Sequence, residues 1–200
     1  MQTTVDQLLQ EAYQRFEAFR EVLKTRGLRE ADAMTLSTCS ASGRPTSRVV
    51  LLRGHDAEGF VFYTNSLSRK GRQLAENPYA AICFYDDQGA QQVLIDGKVE
   101  RLDDQVTDRY WNSRARESRI GAWASTQSEV LPDRATLEQR VADYEQMFVD
   151  VVDVPRPEHW FGFCLVPERI EFWQGRLARL HERDVYELQN SHWVKYHLYP

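Results

Sequence analysis

The stretch SRVVLLRGHDAEGFVFYTNSLSRKG, residues 47–71, decides the fold. It holds two runs, Ser47–Arg53 and Phe60–Thr64, that are rich in the β-branched and aromatic residues favoured by strands. The second run leads into a polar segment with serines at its start and Pro78 at its end, which predicts a short helix. Two strands followed at once by a short helix indicate a sheet with helices attached to it.

The rest of the chain repeats this pattern. Further strands are predicted at Met34–Thr38, Ala80–Tyr85, Gln92–Glu100, Trp160–Val166, Arg169–Trp173, Val185–Leu188 and Trp193–Leu198. Helices are predicted at residues 4–24, 103–113 and 134–148, the first from an apolar stripe at three- and four-residue steps that stops at Gly27. Many short strands with few helices predict one mainly β domain over residues 1–200. A helix within residues 1–28 would precede an antiparallel barrel with peripheral helices over residues 33–200.

Composition limits the function. The formal net charge of −5 argues against nucleic acid as the main partner, because the phosphate backbone requires a broad basic face. No apolar run approaches the roughly 20 residues that span a bilayer, and the N-terminus lacks a signal pattern. Cys39, Cys83 and Cys164 lie far apart in apolar runs, which predicts buried free thiols and a cytoplasmic protein. No Cys/His cluster in the sequence predicts a metal site.

The cations occur in small clusters, which suit discrete phosphate groups. Arg69 and Lys70 stand in the first turn of the helix after Thr64, where free N–H groups bind phosphate readily. Cations at that place oppose the helix dipole, a conflict that often marks a functional site. Arg48 and Arg53 lie at the two ends of a predicted strand, and strand alternation predicts opposite faces for them.

Two more groups stand out. Tyr110, Arg114 and Ser118 offer donors for a second phosphate, if the helix persists far enough to place the first two on one face. The segment EFWQGRLARLHER, Glu171–Arg183, sets arginines and a histidine behind an aromatic pair. It is either a surface for a planar anion or a turn with solvated arginines, and its residues alone leave both readings open.

Taken in order, six motifs resemble those of the pyridoxamine 5′-phosphate oxidase family, from about Ala33 to Pro200: RVVLLR, FYTN.(3)RKG, QQV.I.G.VE, Y.(3)R.(3)S.IGAW.S.QS, P.P..W.G and EFWQG.(3)RLH.R. The resemblance implies an FMN-binding split β-barrel of antiparallel Greek-key type. It implies a homodimer with two flavins in clefts built from both chains. The implied reaction oxidises pyridoxamine 5′-phosphate or pyridoxine 5′-phosphate to pyridoxal 5′-phosphate by hydride transfer from substrate C4′ to flavin N5. Dioxygen accepts the electrons, and hydrogen peroxide is released.

The resemblance also implies roles for single positions. FMN would be held by Arg48, Val49, Val50, Leu51, Leu52, Arg53, Tyr63, Thr64, Arg69, Lys70, Gln92, Gln127, Ser128, Trp173 and Arg183. The substrate would be held by Arg53, Tyr110, Arg114, Ser118, Arg179, Leu180 and His181. The catalytic roles fall to Arg179, which would clamp the pyridine ring, and to His181, which would orient the reacting side. No general base is assigned, and Arg176 matches no family position.

Three positions depart from the family pattern: Arg53 replaces a usual Lys, Gln91 a usual Arg and Ala115 a usual Pro. They leave FMN binding intact but bear on the choice of substrate. One alternative is a phenazine-biosynthesis flavin oxidase, which acts on a carboxylated tricyclic substrate. Another is a non-catalytic split-barrel protein that binds flavin, haem or pyridoxal phosphate. The Tyr110, Arg114 and Ser118 set favours a phosphorylated pyridine.

Overall fold

The computed structural model describes residues 7–27 and 29–200, and in this part nine strands form one antiparallel sheet. The helices are α1 (Gln7–Thr25), α2 (Arg69–Glu76), α3 (Asp104–Ser113), α4 (Arg116–Ala124) and α5 (Arg134–Met147). The strands are β1 (Ala33–Cys39), β2 (Pro45–Leu51), β3 (Gly54–Asp56), β4 (Gly59–Asn65), β5 (Tyr79–Asp86), β6 (Gln91–Arg101), β7 (Trp160–Gln174), β8 (Glu182–Gln189) and β9 (His192–His197).

The long strand β7 organises the sheet. The strand order is β2-β1-β5-β6-β7-β4-β3, with β8 on β7 and β9 on β8. One edge of β7 pairs with β6, while its other edge pairs first with β4 and then with β8. The sheet therefore branches and curls into the half-barrel of a split barrel, as predicted. Where two strands were expected, β7 is continuous, because Pro167 lies at a register shift opposite Gly97.

Helix α1 covers the main core. Its buried residues Ala12, Phe16, Phe19 and Leu23 form the predicted apolar stripe. The Phe16 ring meets Phe60 and Phe84 edge-on, with centroids 5.1 and 5.2 Å apart. Gly27, with φ +66°, follows the helix end, as predicted. Residues 4–6 of the predicted helix lie outside the described residues.

A second apolar cluster lies between helices α3, α4 and α5 and the start of β7. It contains Trp111, Ile120, Phe148, Val154 and Trp160. The Trp111 indole Nε1 donates a hydrogen bond to the Val154 carbonyl at 2.8 Å, which satisfies its buried N–H. This cluster holds α3, α4 and α5 together beside the sheet.

Two further elements differ from the sequence prediction. Helix α4 was not predicted, and its N-cap residue Ala115 makes no side-chain hydrogen bond that would mark a start. The predicted strand Ser47–Arg53 ends earlier, at Leu51, and the short strand β3 follows. Cys164 is buried, whereas Cys39 and Cys83 are only half-buried, and all three are free thiols. In the described residues, no helix is long and apolar enough to cross a bilayer.

Candidate cofactor and substrate site

A cavity of about 810 Å³ lies where β2 and β4 meet helices α2, α3 and α4. Its lining includes the cations Arg48, Arg53, Lys70 and Arg114. No Asp or Glu belongs to the described residues that line it. Enclosed charges without counter-ions are costly, so this surface is suited to receiving an anion. We call it the cationic cavity.

The turn from β4 into α2 forms one end of the cationic cavity. Ser68 caps α2, and its Oγ accepts a hydrogen bond from the Gly71 N–H at 3.3 Å. A Cβ on Gly71 would lie 2.2 Å from the Ser66 carbonyl oxygen, so glycine is required for this tight approach. The turn brings the side chain of Lys70 back over Thr64.

Lys70 is a buried cation with neutral partners. Its Nζ donates to Gln127 Oε1 at 2.6 Å, to Thr64 Oγ1 at 2.9 Å and to Ser68 Oγ at 3.1 Å. Burial, reinforced by the charge of Arg48, lowers the pKa of Lys70 to about 8. Neutral oxygens therefore orient this ammonium without neutralising it.

Arg48 and Arg53 both line the cavity, although strand alternation predicts opposite faces for them. Strand alternation ends with β2 at Leu51, and the chain then turns, as the Arg53 N–H donates to the Val61 carbonyl at 2.8 Å. Arg48 Nη1 donates to Thr38 Oγ1 at 2.7 Å and to the Leu36 carbonyl at 3.0 Å. Burial and then the charge of Arg69 lower the pKa of Arg48.

Stacked rings form a second wall. Tyr63 and Tyr110 lie with centroids 3.9 Å apart and planes 13° apart, and Trp160 lies 5.2 Å from Tyr63. The Arg114 guanidinium lies 4.8 Å from the Trp160 ring centroid, and its Nη1 is buried without a hydrogen-bond partner among the described residues. Burial and then the charges of Arg53 and Arg119 lower the pKa of Arg114, although Tyr110 opposes this shift.

Helix α4 supplies the third wall. Helix α3 ends at Ser113 and Arg114 caps it, so the condition for a shared helix face of Tyr110 and Arg114 is not met. Both side chains nevertheless line the cavity with Ser118. The inner face of α4 is made of small residues, which leaves room for a ligand: Ser118, Gly121, Ala122 and Ser125. Their spacing of three, four and seven was visible in the sequence, but without a predicted helix it carried no signal. Trp160 and Asn65 also line the cavity without having been predicted as site residues, although both occur in the quoted motifs.

The structure brings together most of the residues predicted from the first four motifs. The cationic cavity is lined by Arg48, Val49, Val50, Leu51, Arg53, Tyr63, Thr64, Lys70, Tyr110, Arg114, Ser118 and Gln127. Six predicted FMN contacts are not among its lining residues: Leu52, Arg69 and Ser128, and also Gln92, Trp173 and Arg183 on the C-terminal strands and β6. Leu52 is buried in the core, whereas Arg69 and Ser128 are exposed at the surface.

The remaining predicted residues form a separate group, which we call the C-terminal group. Gln92, Trp173 and Arg183 are register neighbours across β6, β7 and β8. Arg179, Leu180 and His181 follow in the turn between β7 and β8. The Trp173 and His181 rings lie with centroids 4.7 Å apart. None of these six residues lines the cationic cavity of the described chain.

Arg183 of the C-terminal group and the nearby Arg169 on β7 share one carboxylate partner. The carboxylate of buried Glu171 accepts two hydrogen bonds from Arg183, at 2.6 and 3.1 Å, and one from Arg169, at 2.5 Å. Burial alone would raise the pKa of Glu171, but the hydrogen bonds from Arg183 and Arg169 bring it below its usual range. The sequence did not predict this buried ion pair, although Glu171 begins the quoted segment.

The turn itself is strained and exposed. Ala178 and Arg179 both have positive φ, 54° and 61°, a costly backbone conformation for residues other than glycine. Leu177 is 93% exposed and Leu180 is 68% exposed. Arg179 makes no hydrogen bond or ion pair within the described residues. The turn thus presents an unpaired guanidinium between two exposed leucines.

A curled antiparallel barrel with a cavity of cations and stacked rings has the features of a protein class suited to planar, phosphorylated ligands. Residues 17–148 match the family model described as pyridoxamine 5′-phosphate oxidase, and residues 160–200 match the C-terminal dimerisation region of pyridoxine 5′-phosphate oxidase. The chain belongs to the pyridoxamine 5′-phosphate oxidase family and is an FMN-dependent oxidase.

Relatives agree with this assignment. The chain is 52% identical over 188 residues to a pyridoxine/pyridoxamine 5′-phosphate oxidase of Alkalilimnicola ehrlichii, covering 94% of this chain and 96% of the relative. It is 49% identical over 187 residues to the one of Myxococcus xanthus, covering 94% and 90%. The crystal structure of PhzG from Burkholderia lata, in complex with tetrahydrophenazine-1-carboxylic acid, superposes with a TM-score of 0.86 at 32% identity, covering 100% of this chain and 95% of PhzG.

Proposed function

We propose that this protein oxidises pyridoxamine 5′-phosphate and pyridoxine 5′-phosphate to pyridoxal 5′-phosphate, with dioxygen as electron acceptor and hydrogen peroxide as product. The observation that carries the proposal is the cationic cavity, whose lining holds four cations and no carboxylate within the described chain. Cofactor and substrate each bring a phosphate, and the cavity offers cations for both.

FMN fits one end of the cationic cavity. Its phosphate would bind Lys70 and Arg69 at the start of α2, where free N–H groups add to the positive potential. Arg48, braced on β1 by Thr38, would contact the flavin from the adjacent strand. When bound, FMN supplies the hydride acceptor and the route for electrons to dioxygen.

The substrate fits the other end. Arg53, Tyr110, Arg114 and Ser118 would bind its phosphate, and the unpaired Nη1 of Arg114 is a free donor for that purpose. The chain's task is then to hold the substrate's C4′ carbon in line with the flavin. Such positioning requires no strong acid or base, so no residue is assigned as a general base.

We further propose that the C-terminal group of a second copy completes each site. In a single chain this group lies apart from the cationic cavity, and residues 160–200 match the family's dimerisation region. The exposed Leu177 and Leu180 are apolar surfaces that a partner would cover. Trp173 and Arg183 would then reach the flavin, while Arg179, Leu180 and His181 would enclose the pyridine ring.

The test is an anaerobic reduction. The purified protein is expected to show a flavin spectrum, to bleach on addition of pyridoxamine 5′-phosphate and to recover in air with release of pyridoxal 5′-phosphate. Unphosphorylated pyridoxamine is the matched control and should bleach the flavin far more slowly at the same concentration. A flavin that neither B6 phosphate bleaches would refute the proposal.

The likeness to PhzG supports a second candidate, oxidation of a carboxylated tricyclic substrate. The same spectrum distinguishes the two candidates. Bleaching by a reduced phenazine carboxylate, and not by the B6 phosphates, would establish the second one.

A further inference from the structure

Arg48 lines the cationic cavity, and the hydroxyls of two threonines hold its guanidinium. Its Nη1 donates a hydrogen bond to Thr38 Oγ1 at 2.7 Å, and its Nη2 donates one to Thr46 Oγ1. Thr38 and Thr46 are register partners on the adjacent strands β1 and β2, so their side chains are neighbours on one face of the sheet. Each arm of the Arg48 fork therefore rests on a hydroxyl.

A glutamine on α2 joins the two threonines. Gln73 is 6% exposed, and its Oε1 accepts hydrogen bonds from Thr38 Oγ1 at 2.6 Å and from Thr46 Oγ1 at 2.7 Å. Because a threonine hydroxyl has a single proton and both protons point to Gln73, the two hydroxyl oxygens offer lone pairs to Arg48. The four side chains form a closed ring of hydrogen bonds. Gln73 itself is not among the described residues that line the cationic cavity.

This ring orients Arg48 without neutralising its charge. Within the described chain, the terminal nitrogens of Arg48 donate only to neutral oxygens, of which the third is the Leu36 carbonyl at 3.0 Å. Lys70, three residues before Gln73 on α2, is also held by neutral oxygens. One short helix thus carries a cation of the cavity and the oxygen that orients a second cation on the neighbouring strand.

A contact that only ties α2 to the sheet would not require this arrangement. Glu76 on the same helix provides such a tie, because its Oε2 accepts a hydrogen bond at 3.1 Å from the Ala41 N–H, in the turn between β1 and β2. Neither Glu76 nor Ala41 lines the cationic cavity. Gln73 differs because both hydroxyls that it orients continue to Arg48.

We propose that Gln73 is a positioning residue for FMN, which acts through Thr38 and Thr46 to hold the Arg48 guanidinium in the orientation that binds the cofactor. This inference rests on that part of the proposed function in which Arg48 contacts the flavin. It assigns a role in cofactor affinity to a buried residue outside the cavity.

The first experiment measures the Kd of FMN for the free protein by flavin fluorescence. Gln73→Met removes the accepting oxygen and should raise the Kd about tenfold, because the freed hydroxyls no longer fix Arg48. Gln73→Glu keeps an oxygen that accepts both hydroxyls and should stay within about threefold of the wild type. Glu76→Ala is the matched control. It also removes a tie between α2 and the sheet, but it should leave the Kd unchanged.

A double-mutant cycle separates positioning from stability. If Gln73 acts through Arg48, then Gln73→Met should raise the Kd no further in an Arg48→Met background. The melting temperature, measured for every member of the cycle, reports the structural contribution of Gln73 separately. A Gln73→Met protein that lowers the melting temperature but keeps the Kd within about twofold of the wild type would overturn the inference. An additive loss of affinity in the double variant would also overturn it.

A second site in the ring keeps the test decisive if Gln73→Met does not fold. Thr46 is half-buried, so Thr46→Val opens the ring at a more tolerant position, while Thr46→Ser keeps the hydroxyl. Thr46→Val should raise the Kd about fivefold and Thr46→Ser should not change it. Equal Kd values for the two variants would count against the inference.

These measurements do not depend on turnover. If the expected Kd pattern holds while neither B6 phosphate bleaches the flavin, the proposed reaction fails and the role of Gln73 stands. If the flavin bleaches but the double-mutant cycle is additive, the proposed reaction stands and the role of Gln73 fails.

Discussion

The cationic cavity and the C-terminal group are both rich in arginine, yet they treat charge in opposite ways. In the cavity, Lys70 is buried and Arg114 is half-buried, and neither has a carboxylate partner among the described residues. In the C-terminal group, Arg183 is bound by Glu171, and in the turn between β7 and β8 Arg176 is bound by Glu182. Cations without a carboxylate partner are available to bind an anionic ligand. Cations that are paired with a carboxylate instead stabilise the fold. The exception in the C-terminal group is Arg179, which is unpaired like the cavity cations.

The largest effect should come from removing the buried cation of the cavity. Lys70→Met is expected to weaken FMN binding by about 3 kcal/mol, roughly 100-fold, because a charged hydrogen bond to the phosphate is lost. The stability of the free protein should not fall, since a buried, unneutralised charge is removed with it. Titration of the free protein with FMN, followed by flavin fluorescence, measures the first effect.

The control for this experiment lies on the same helix. Arg72 is exposed and paired with Glu129 at 2.9 Å, so Arg72→Ala should change FMN affinity less than about twofold. Equal losses in both variants would show that the distinction between uncompensated and compensated cations has no functional meaning here.

The second largest effect is on kcat/KM, and it should differ between two arginines of the same turn, Arg179 and Arg176. Arg179→Ala is expected to lower kcat/KM for pyridoxamine 5′-phosphate by about 1.5–3 kcal/mol, roughly 10- to 100-fold, because an unpaired clamp on the ring is lost. Arg176→Ala is the matched control and should leave kcat/KM unchanged, since Arg176 is engaged by Glu182 at 2.8 and 2.9 Å. If Arg179→Ala stayed within about twofold of the wild type, Arg179 would have no role as a clamp.

The same two regions show what the sequence can and cannot predict. The strands, α1 and the start of α2 follow from local patterns, because apolar periodicity and the Ser68 cap act over a few residues. The common position of Arg48 and Arg53 could not be predicted, because it depends on β2 ending at Leu51. Helix α4 was missed because its first turn is charged and its N-cap forms no side-chain hydrogen bond.

Contacts between residues that are distant in the chain could also not be predicted from the sequence. A glutamate within a strand is usually a surface residue, and the burial of Glu171 depends on arginines from two strands meeting it. The separation of Trp173 and His181 from the cavity depends on how β7 divides its partners between β4 and β8. Such facts arise only when the sheet is assembled.

Removing the charge of Glu171, the buried partner of Arg169 and Arg183, should lower the stability of the folded protein. Glu171→Gln should lower the free energy of unfolding by about 1.5–2 kcal/mol, because two arginines lose their shared counter-ion. The loss should lie below that for a fully buried pair, since the side chains of Arg169 and Arg183 are 22% and 31% exposed. Urea denaturation of the free protein measures it. Glu182→Gln, in an exposed pair, should show no change, and equal effects of the two changes would contradict the assigned importance of burial.

The smallest expected effect concerns pH and returns to Lys70. Burial lowers its pKa from the usual 10.5 to about 8 in the folded protein. Between pH about 8 and 10.5 the unfolded chain therefore holds a proton that the folded free protein has lost, so this group makes the free protein more stable as pH rises.

FMN affinity should move the other way, because the proposed contact with the FMN phosphate requires the protonated ammonium of Lys70. From pH 7.5 to 9 the fraction of charged Lys70 falls by about eightfold, which sets the maximum loss of affinity expected from this group. Fluorescence titrations across that range should show the decline in the wild type and not in Lys70→Met. A decline of equal size in both proteins would trace the pH dependence to another group, and Lys70 would then be a cation whose burial serves the fold.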